Sequence, residues 1–502
     1  MATAVVEERQ LLKTLRWWDG FTIALCQPGF LLGSLLFAYG SLGVTGATVL
    51  WGISAAVSLM NVWVYSEPAM MFPGRSGGIS LYANEGWRKY STLVGPIATF
   101  GYWIGWSVVL AIFGNLIGGL IQAQWFSDSS WTVWDGVVHL QLFNFIGIGC
   151  IIVVWLFNIF GVRPFAWFTY VTGALLLIPV TFLIIGPAVS GNWHSSNVHW
   201  ALADHQWGGV KLALVYLFIM YWSSNGVEVG ATFTPEYKSR KDSTIALRSA
   251  GAFSLLVYIL LPLGLGGYSG VPSSDAILAN STYVTAMNDI VGTGVTNFFV
   301  ICLVLSFLLS MATSTADAGR ALYGISKAGL TVKVFGKLNR FHVPGNAMTM
   351  DLVVNICLIL FISSNLAILY MSNIGYVLCN VFALSAFLLL RRDRPNWPRP
   401  LKVSNVWVGI SVFLLLYAIV ILVVGAGAPK LNGYGTWTDF AIGVGVLCAS
   451  VLLFFFRRIV EDKERVHWKE ETPTMPEGAD REALVEVGWT PDDAPEPVKV
   501  GG

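Results

Sequence analysis

Long apolar runs dominate this chain and limit what it can fold into. A helix needs about 20 apolar residues to cross the roughly 30 Å of hydrocarbon in a bilayer, and the sequence contains about 12 such runs. Their centres lie near Leu25, Ala55, Val108, Val153, Leu177, Leu214, Val257, Leu303, Val354, Val381, Leu415 and Leu447. Because 55% of the residues are hydrophobic and only 12% are charged, the chain could not cover itself with a polar surface in water. We therefore predict an all-α membrane protein whose outer solvent is lipid.

The distribution of lysine and arginine predicts how these spans are oriented. Positive charge is retained on the cytoplasmic side during insertion. If the N-terminal segment 1–16 is cytoplasmic, the basic loops fall inside, and only Lys211 and Lys430 are basic among the outer loops and span mouths. We therefore predict a multi-pass protein of the cell membrane with both termini cytoplasmic. The transmembrane domain is predicted over 17–460, and the charged tail 461–502 is predicted to be disordered because it is too polar to bury a core.

Other classes of function find little support in the composition. A formal net charge of +1 argues against nucleic acid as a partner. The six cysteines fall inside predicted spans without metal-binding spacing, so we interpret them as small apolar residues. His194, His199 and His205 share an outer loop with Asp204 and no cysteine, so we expect solvated residues rather than metal ligands. We predict no metal, no cofactor and no enzyme activity, since no nucleophile and base stand together in any segment.

Two of the predicted spans, the first and the sixth, carry polar stretches with glycine near the middle of the membrane. The interruptions are Cys26, Gln27, Pro28 and Gly29 in span one and Ser223, Ser224, Asn225 and Gly226 in span six. Pro28 removes a backbone donor and Gly29 tolerates non-helical angles, although a simple kink would explain span one by itself. Paired interruptions in the two halves of a chain indicate the binding site of an inverted-repeat transporter. We therefore expect both stretches to line a substrate site.

Three acidic residues within or near the spans need an explanation, because a carboxylate inside the membrane is costly. Glu228 lies two residues beyond Gly226, where it can bind a substrate ammonium or take up a proton; a structural acid that bonds across helices is the alternative. Glu67 lies near the inner end of span two, and Asp317 lies three residues before Arg320 on the same helix face. We interpret Glu67 and Asp317 as members of structural ion pairs.

Four segments, in the same order along the chain, resemble the amino acid–polyamine–organocation (APC) superfamily of permeases. They are SEPAMMFPGRSGGISLYANEG after span two, NGVEVGATFTPEYKSR in span six, GRALYGISKAGLTVKVFGKLNRFHVP after span eight and LLLRRDRPNWPRPLKV after span ten. The resemblance extends from Leu15 to about Arg458. It implies a five-plus-five inverted repeat (LeuT-like) with broken helices 1 and 6, in which repeat one covers about 17–190, repeat two about 209–391 and two further helices about 404–458. It also implies alternating access and a small amine-bearing substrate.

The same resemblance implies roles for single residues of the site. In relatives of the arginine/agmatine-exchanger type, a tryptophan four residues before the span-six glycine covers the substrate as a gate, and Trp222 stands there. Trp106 falls where an aromatic residue of span three lines the site. The superfamily usually holds the substrate carboxylate on consecutive amide groups of span one, but Pro28 has no N–H to offer. Either Gln27 and the Gly29 amide substitute, or the substrate lacks that carboxylate.

The coupling of transport is left open by the sequence. Many proton-coupled relatives carry a lysine in span five, and Leu176 occupies that place here. Three ways of driving transport therefore remain: exchange, a proton carried by Glu228, or coupling to a sodium ion. The hydroxyls of Ser310, Thr313 and Ser314 in span eight can supply oxygen ligands to sodium, although serine and threonine also simply bond helix to helix in membranes.

We predict a secondary active transporter that moves a small amino acid or a related amine across the cell membrane. Its partners would be that substrate, a coupling proton or sodium ion and the lipid bilayer, and a homodimer is left open. Two alternatives remain: a permease for polyamines or other organic amines that needs no α-carboxylate, and a non-transporting sensor that kept the fold. A channel is disfavoured because no ring-forming selectivity motif is visible.

Overall fold

Nearly every described element is a helix in a computed structural model of the chain. The described residues are 11–126, 128–129, 131–133, 138, 140–200, 209–273, 281–362, 365–430, 435–485 and 489. The helices are α1 (Trp17–Ala24), α2 (Gln27–Met71), α3 (Gly78–Trp87), α4 (Val94–Ser107), α5 (Val109–Trp125), α6 (Leu142–Ile159), α7 (Val162–Val189), α8 (Gly209–Asn225), α9 (Arg240–Ser269), α10 (Ser281–Lys327), α11 (Gly345–Phe361), α12 (Asn365–Asp393), α13 (Val406–Ala426), α14 (Trp437–Phe456) and α15 (Gly478–Val485). Two short strands, β1 (Thr132–Val133) and β2 (Leu140–Gln141), pair antiparallel.

Ten of the described helical stretches are long and apolar enough to cross a membrane. The first, Trp17–Met71, is 55 residues long and bends at Gly43, whose φ of 65° lies in the left-handed region that suits a residue without Cβ. Helix α10 bends in the same way at Gly292, and α11 is a shorter apolar helix. The protein is therefore a multi-pass membrane protein, whereas the count of about 12 spans and the inverted repeat remain predictions.

Burial separates central helices from peripheral ones. In the most apolar 18-residue stretch of the sixth span, 89% of the residues are buried, whereas the corresponding shares in α13 and α14 are 28% and 22%. Glycines bring neighbouring helices into close contact: a Cβ on Gly101 of α4 would strike the backbone of Gly375 in α12, and one on Gly114 of α5 would press on Gly147 of α6. Small residues at such contacts are typical of membrane helices, where van der Waals packing holds helices together.

The interruption of span one is tighter than predicted. Helix α1 ends at Ala24 and α2 begins at Gln27, while Leu25 and Cys26 keep right-handed helical angles. Pro28 therefore lies in the first turn of α2, where a helix tolerates proline because the missing N–H would have no partner there. Span one thus has a two-residue joint, which we call the α1–α2 joint, in place of an unwound stretch.

Span six changes its helix type at the predicted point. Helix α8 ends at Asn225, and the chain continues as a 3₁₀ helix over Gly226–Ala231 and a second one over Thr234–Glu236. A 3₁₀ segment inside a span is tighter than an α-helix and has poorer hydrogen-bond geometry, and such segments often mark hinges. Both predicted interruptions therefore exist as joints between helical segments.

Ion pairs link the basic loops at one end of the bundle, which we call the basic end. As expected, Glu67 is a structural residue: its carboxylate accepts from Arg391 (2.5 Å) and Arg399 (3.1 Å). Glu85 of α3 pairs with three arginines, Arg75 at 2.8 Å, Arg88 at 3.3 Å and Arg394 at 2.7 Å. Burial alone would raise the pKa of Glu85, but these guanidinium groups hold that pKa well below its usual range.

The predicted pair between Asp317 and Arg320 is wrong. Arg320 donates through Nε and Nη2 to the Glu236 carboxylate, with 2.9 Å between Nη2 and Oε2, and through Nη1 to the Ala316 carbonyl. The planar guanidinium matches both oxygens of Glu236 at once. Asp317 lies three residues before Arg320 on the same face of α10, but it does not accept these two hydrogen bonds. Arg320 therefore pairs with Glu236, at the end of span six.

The tail residues that the structure describes, as far as Val485, contact the basic end of the bundle. The Thr92 hydroxyl donates to the His467 carbonyl at 2.7 Å, and Glu470 pairs with Arg88 at 3.0 Å. In α15 the buried Asp480 accepts from the Gly74 amide at 3.1 Å and from Arg75 at 2.6 Å. Composition shows that this segment cannot build a core of its own, but it does not show that its acids meet the basic loops.

We expect Asp480→Asn to release the tail from the basic end. Removing one partner of a buried, charged hydrogen bond costs about 1–3 kcal/mol, so the undocked population rises. Limited proteolysis should cleave the variant faster than wild type between the last membrane helix and α15. Glu477→Gln, at an exposed position on the same segment, is the matched control, and equal cleavage rates for both variants would contradict the docking role of Asp480.

Candidate functional site

A small closed cavity lies where the two interrupted spans meet the third and tenth spans. Its volume is about 10 Å³, close to the space that one water molecule needs. The lining residues are Phe30, Gly105, Trp106, Val109, Trp222, Gly226 and Tyr376. Four of these seven side chains are aromatic, and the cavity of this conformation is too small for a substrate.

Trp222 closes the cavity with its indole ring. Its ring packs edge-on against Phe30 at a centroid distance of 5.1 Å, and Phe30 packs edge-on against Trp106 at 5.6 Å. The Trp222 indole N–H donates to the Gly105 carbonyl at 2.7 Å. This bond joins α8 to α4 across the site, so the Trp222 ring must leave Gly105 if the cavity is to open.

Glu228 has an unused oxygen beside this aromatic cavity. Its side chain is buried, and its Oε1 accepts a hydrogen bond from the Tyr376 hydroxyl. Its Oε2 completes no hydrogen bond with the described residues, and the Trp106 indole N–H, which is directed at this carboxylate, completes none either. A buried polar atom without a partner is rare and calls for an explanation, and a polar ligand in the cavity would supply one.

The polar side chains of span six turn away from this cavity. Ser223 bonds to Ser34 at 2.9 Å, Ser224 to Ser54 at 2.7 Å, and Asn225 accepts from Asn61 at 2.7 Å. All three partners belong to α2. Of the four residues predicted from this stretch, the structure places only Gly226 on the cavity wall, and the other three hold α8 against α2.

The predicted residues of span one lie behind the cavity wall. The Gln27 amide group lies beside Gly226, where a Cβ would collide with it, and it donates weakly to the Cys26 thiol at 3.9 Å. Pro28 is buried in the first turn of α2. Gly29 packs against the Ser310 hydroxyl, and a Cβ on Gly29 would strike that oxygen. These residues shape the α1–α2 joint, and Phe30 is the residue of this region that reaches the cavity.

Tyr258 of α9 connects the two interruptions and is absent from the predicted site. Its hydroxyl lies 2.6 Å from the Ser223 carbonyl and 3.0 Å from the Gln27 carbonyl. One donor thus serves the end of α8 and the start of α2 together. A single tyrosine in an apolar span gives no signal in the sequence, because its partners are carbonyls that any residue carries.

Hydroxyls of α10 meet the carbonyls of the α1–α2 joint. Ser310 donates to the Cys26 carbonyl at 3.1 Å and Thr313 to the Ile23 carbonyl at 3.3 Å, whereas Ser314 bonds within α10 to the Ser310 carbonyl at 2.8 Å. The structure therefore brings two of the three predicted hydroxyls to the joint. These two buried carbonyls also accept backbone bonds, from the Phe30 and Cys26 amides. Carbonyl oxygens at interrupted helices also coordinate sodium in transporters of the inverted-repeat type.

Metal ligands of the usual kind do not cluster in the described part of the chain: no group of three or more His, Cys, Asp or Glu side chains that could hold a metal ion occurs there. His194 and His199 are exposed. Asp204 and His205, which share their predicted loop, lie outside the described residues.

Comparison with known proteins identifies the family. The family described as amino acid permease matches residues 15–448 of this chain. The chain belongs to the amino acid permease family. This confirms the resemblance seen in the four sequence segments, and it makes the protein a transmembrane transporter rather than an enzyme.

Individual relatives of the permease are distant but cover most of its length. The aromatic amino acid transport protein AroP of Corynebacterium glutamicum is 23% identical over 448 residues, which are 81% of this chain and 89% of that protein. The gamma-aminobutyric acid permease of Bacillus subtilis is 23% identical over 450 residues, 86% and 89% of the two chains. The cadaverine/lysine antiporter of Escherichia coli is 24% identical over 345 residues, 67% and 72%.

We expect Tyr258→Phe to destabilise the permease. The change leaves two buried carbonyls with one partner fewer, which costs about 1–3 kcal/mol, and thermal unfolding in detergent should begin at a lower temperature. Tyr417→Phe is the matched control, because the Tyr417 hydroxyl is buried without a partner among the described residues. If both variants unfold at the temperature of the wild type, Tyr258 does not connect the two joints.

Proposed function

We propose that this permease is a secondary active transporter that moves a small amino acid or a related amine across the cell membrane by alternating access. The observation that carries the proposal is the closed aromatic cavity between the two interrupted spans, with Glu228 bonded to its lining residue Tyr376 and holding one oxygen that has no partner among the described residues. Membership of a family of permeases supports the transport activity. The closed cavity then represents a state between outward and inward access.

The chemistry of the cavity favours a substrate with an ammonium group. Aromatic faces attract cations, and Phe30, Trp106 and Trp222 all border the cavity. A carboxylate supplies the opposite charge and accepts hydrogen bonds from an ammonium group, as Glu228 can do through Oε2. The substrate ammonium would thus supply the hydrogen-bond donor that Oε2 lacks.

A substrate without an α-carboxylate is the second candidate, and the α1–α2 joint favours it. The Leu25 amide donates to the Phe21 carbonyl at 3.1 Å, the Cys26 amide to the Ile23 carbonyl at 3.4 Å, and Pro28 has no N–H. These groups therefore do not form the amide cradle that would hold a carboxylate. Among the relatives, the cadaverine/lysine antiporter carries a diamine in its name, and a permease for organic amines is consistent with this joint.

Proton coupling or exchange would drive the cycle. Leu176 is fully buried in α7 and cannot carry charge, whereas Glu228 lies beside the cavity and can bind either a proton or a substrate ammonium. Competition between the two would release one when the other binds. Such coupling requires no metal ion.

We expect a thermal-shift screen of the purified protein to identify the substrate class. A ligand that binds only the folded state raises its stability, so cadaverine, lysine, γ-aminobutyrate and phenylalanine can be compared at two pH values, with and without sodium. Stabilising compounds should also be taken up by proteoliposomes. Binding without uptake or exchange would favour the sensor, and neither binding nor transport of any amine or amino acid would overturn the proposal.

We expect Trp222→Ala to abolish uptake and Glu228→Gln to remove its pH dependence. The first change deletes the ring and its bond to Gly105, and the second keeps the shape of the side chain but prevents ionisation. Both variants should insert and elute like wild type, and uptake by each is measured from pH 5 to 8. Trp167→Ala, at a position that is 72% exposed, should transport normally; wild-type kinetics in the two site variants would remove them from the mechanism.

A further inference from the structure

Asp317 of α10 is a fully buried carboxyl group that the site described above does not use. Its Oδ1 accepts from the Thr232 hydroxyl, and its Oδ2 has no partner among the described residues. Arg320, the cation one turn further along α10, is committed to Glu236 and to a backbone carbonyl. Asp317 therefore lacks an ion pair within the described part of the chain.

The surroundings of Asp317 are mostly neutral or acidic. The Tyr102 hydroxyl of α4 is directed at Asp317 without completing a hydrogen bond. The other ionisable groups within electrostatic range are Glu228 of span six, Arg320 of the same helix, Asp351 of α11 and the Cys26 thiol. Asp351 also has one unpartnered oxygen among the described residues, but its other oxygen accepts from the Trp103 indole N–H of α4 at 2.6 Å and not from span six. An ionised carboxylate without a cation is costly in the membrane, so the closed conformation favours a protonated Asp317.

Asp317 lies between the central cavity and a larger cavity at the basic end. Its partner Thr232 follows Glu228 by four residues. In the other direction, Gly324 lines a cavity of about 470 Å³ and follows Asp317 by seven residues, or about 10 Å along a helix. Between them, the Ser76 hydroxyl lies 2.8 Å from the Thr232 carbonyl and 3.4 Å from the Arg320 carbonyl, and Ser76 also lines the larger cavity.

We propose that Asp317 is a second proton-carrying residue of the transport cycle, placed between Glu228 and the cavity at the basic end. The proposal rests on the transport function proposed above and deepens it. In the step, Asp317 first releases its proton to water that enters from the basic end and becomes a carboxylate. The Glu228 carboxyl then loses one proton and the Asp317 carboxylate gains one, while the Tyr102 hydroxyl takes a proton on its oxygen and passes its own proton to Asp317.

The test compares proton-driven uptake with exchange in proteoliposomes that contain the full-length protein. The labelled probe is whichever of lysine, cadaverine and γ-aminobutyrate the wild type transports fastest. Asp317→Asn is expected to lose uptake driven by an inward proton gradient while it keeps exchange at equal pH on both sides, because exchange needs no net proton release. Asp317→Glu should restore part of the driven uptake.

Two further variants separate this role from a structural one. Asp351→Asn removes an equally buried carboxylate that also has one unpartnered oxygen among the described residues but bonds to Trp103 of α4 and not to span six, and both activities should persist. Thr232→Val keeps the acid but removes its hydrogen bond, so the pH at which driven uptake is half-maximal should shift; this variant decides the matter if Asp317→Asn does not fold.

Three results would overturn the proposal for Asp317. They are proton-driven uptake by Asp317→Asn, a parallel loss of exchange and uptake in that variant, and an unchanged pH profile in Thr232→Val. Wild-type transport without any proton dependence would also overturn the role of Asp317, but it would leave the proposed transport function standing. Absence of both activities from the wild type would instead refute the proposed function, and this role with it.

Discussion

The hydrocarbon of a bilayer contains no water to satisfy a backbone amide or carbonyl, and the rest of the structure depends on that constraint. A joint inside a span survives only if neighbouring helices supply its hydrogen bonds. Here the carbonyls of the α1–α2 joint accept from Ser310 and Thr313 of α10. The carbonyls on either side of the site share the hydroxyl of Tyr258. The joints therefore stay compact and the chain never unwinds.

This constraint also explains why the polar residues of span six lie where they do. Ser223, Ser224 and Asn225 bond to partners on α2, so their side chains hold two helices together beside a joint that could otherwise move freely. The cavity wall is formed mostly by aromatic rings, and the one acid of this region, Glu228, bonds to the Tyr376 hydroxyl beside it. The polar contacts therefore lie behind the cavity wall, and Trp222 on the wall is held by ring packing and by one hydrogen bond to the Gly105 carbonyl.

The charged residues show how far sequence patterns reach. Glu67 was correctly interpreted as a structural residue, since a lone acid at a span end beside basic loops almost always finds a cation. The same reasoning failed for Asp317, because Arg320 can choose among partners brought by other helices and took Glu236. Composition alone does not show where the tail binds, because its Asp480 meets Arg75 more than 400 residues earlier in the chain.

The sequence by itself determined the helical membrane class, the family and the places where spans one and six change course, because apolar length and the residues that break helices act locally. Only the tertiary structure decided which side chains border the cavity, that Tyr258 joins the two interruptions, and that Asp317 is buried without an ion pair. Each of these facts depends on which helices lie side by side. Hydrogen bonds and ion pairs are formed across that packing, and the order of residues along one helix does not encode it.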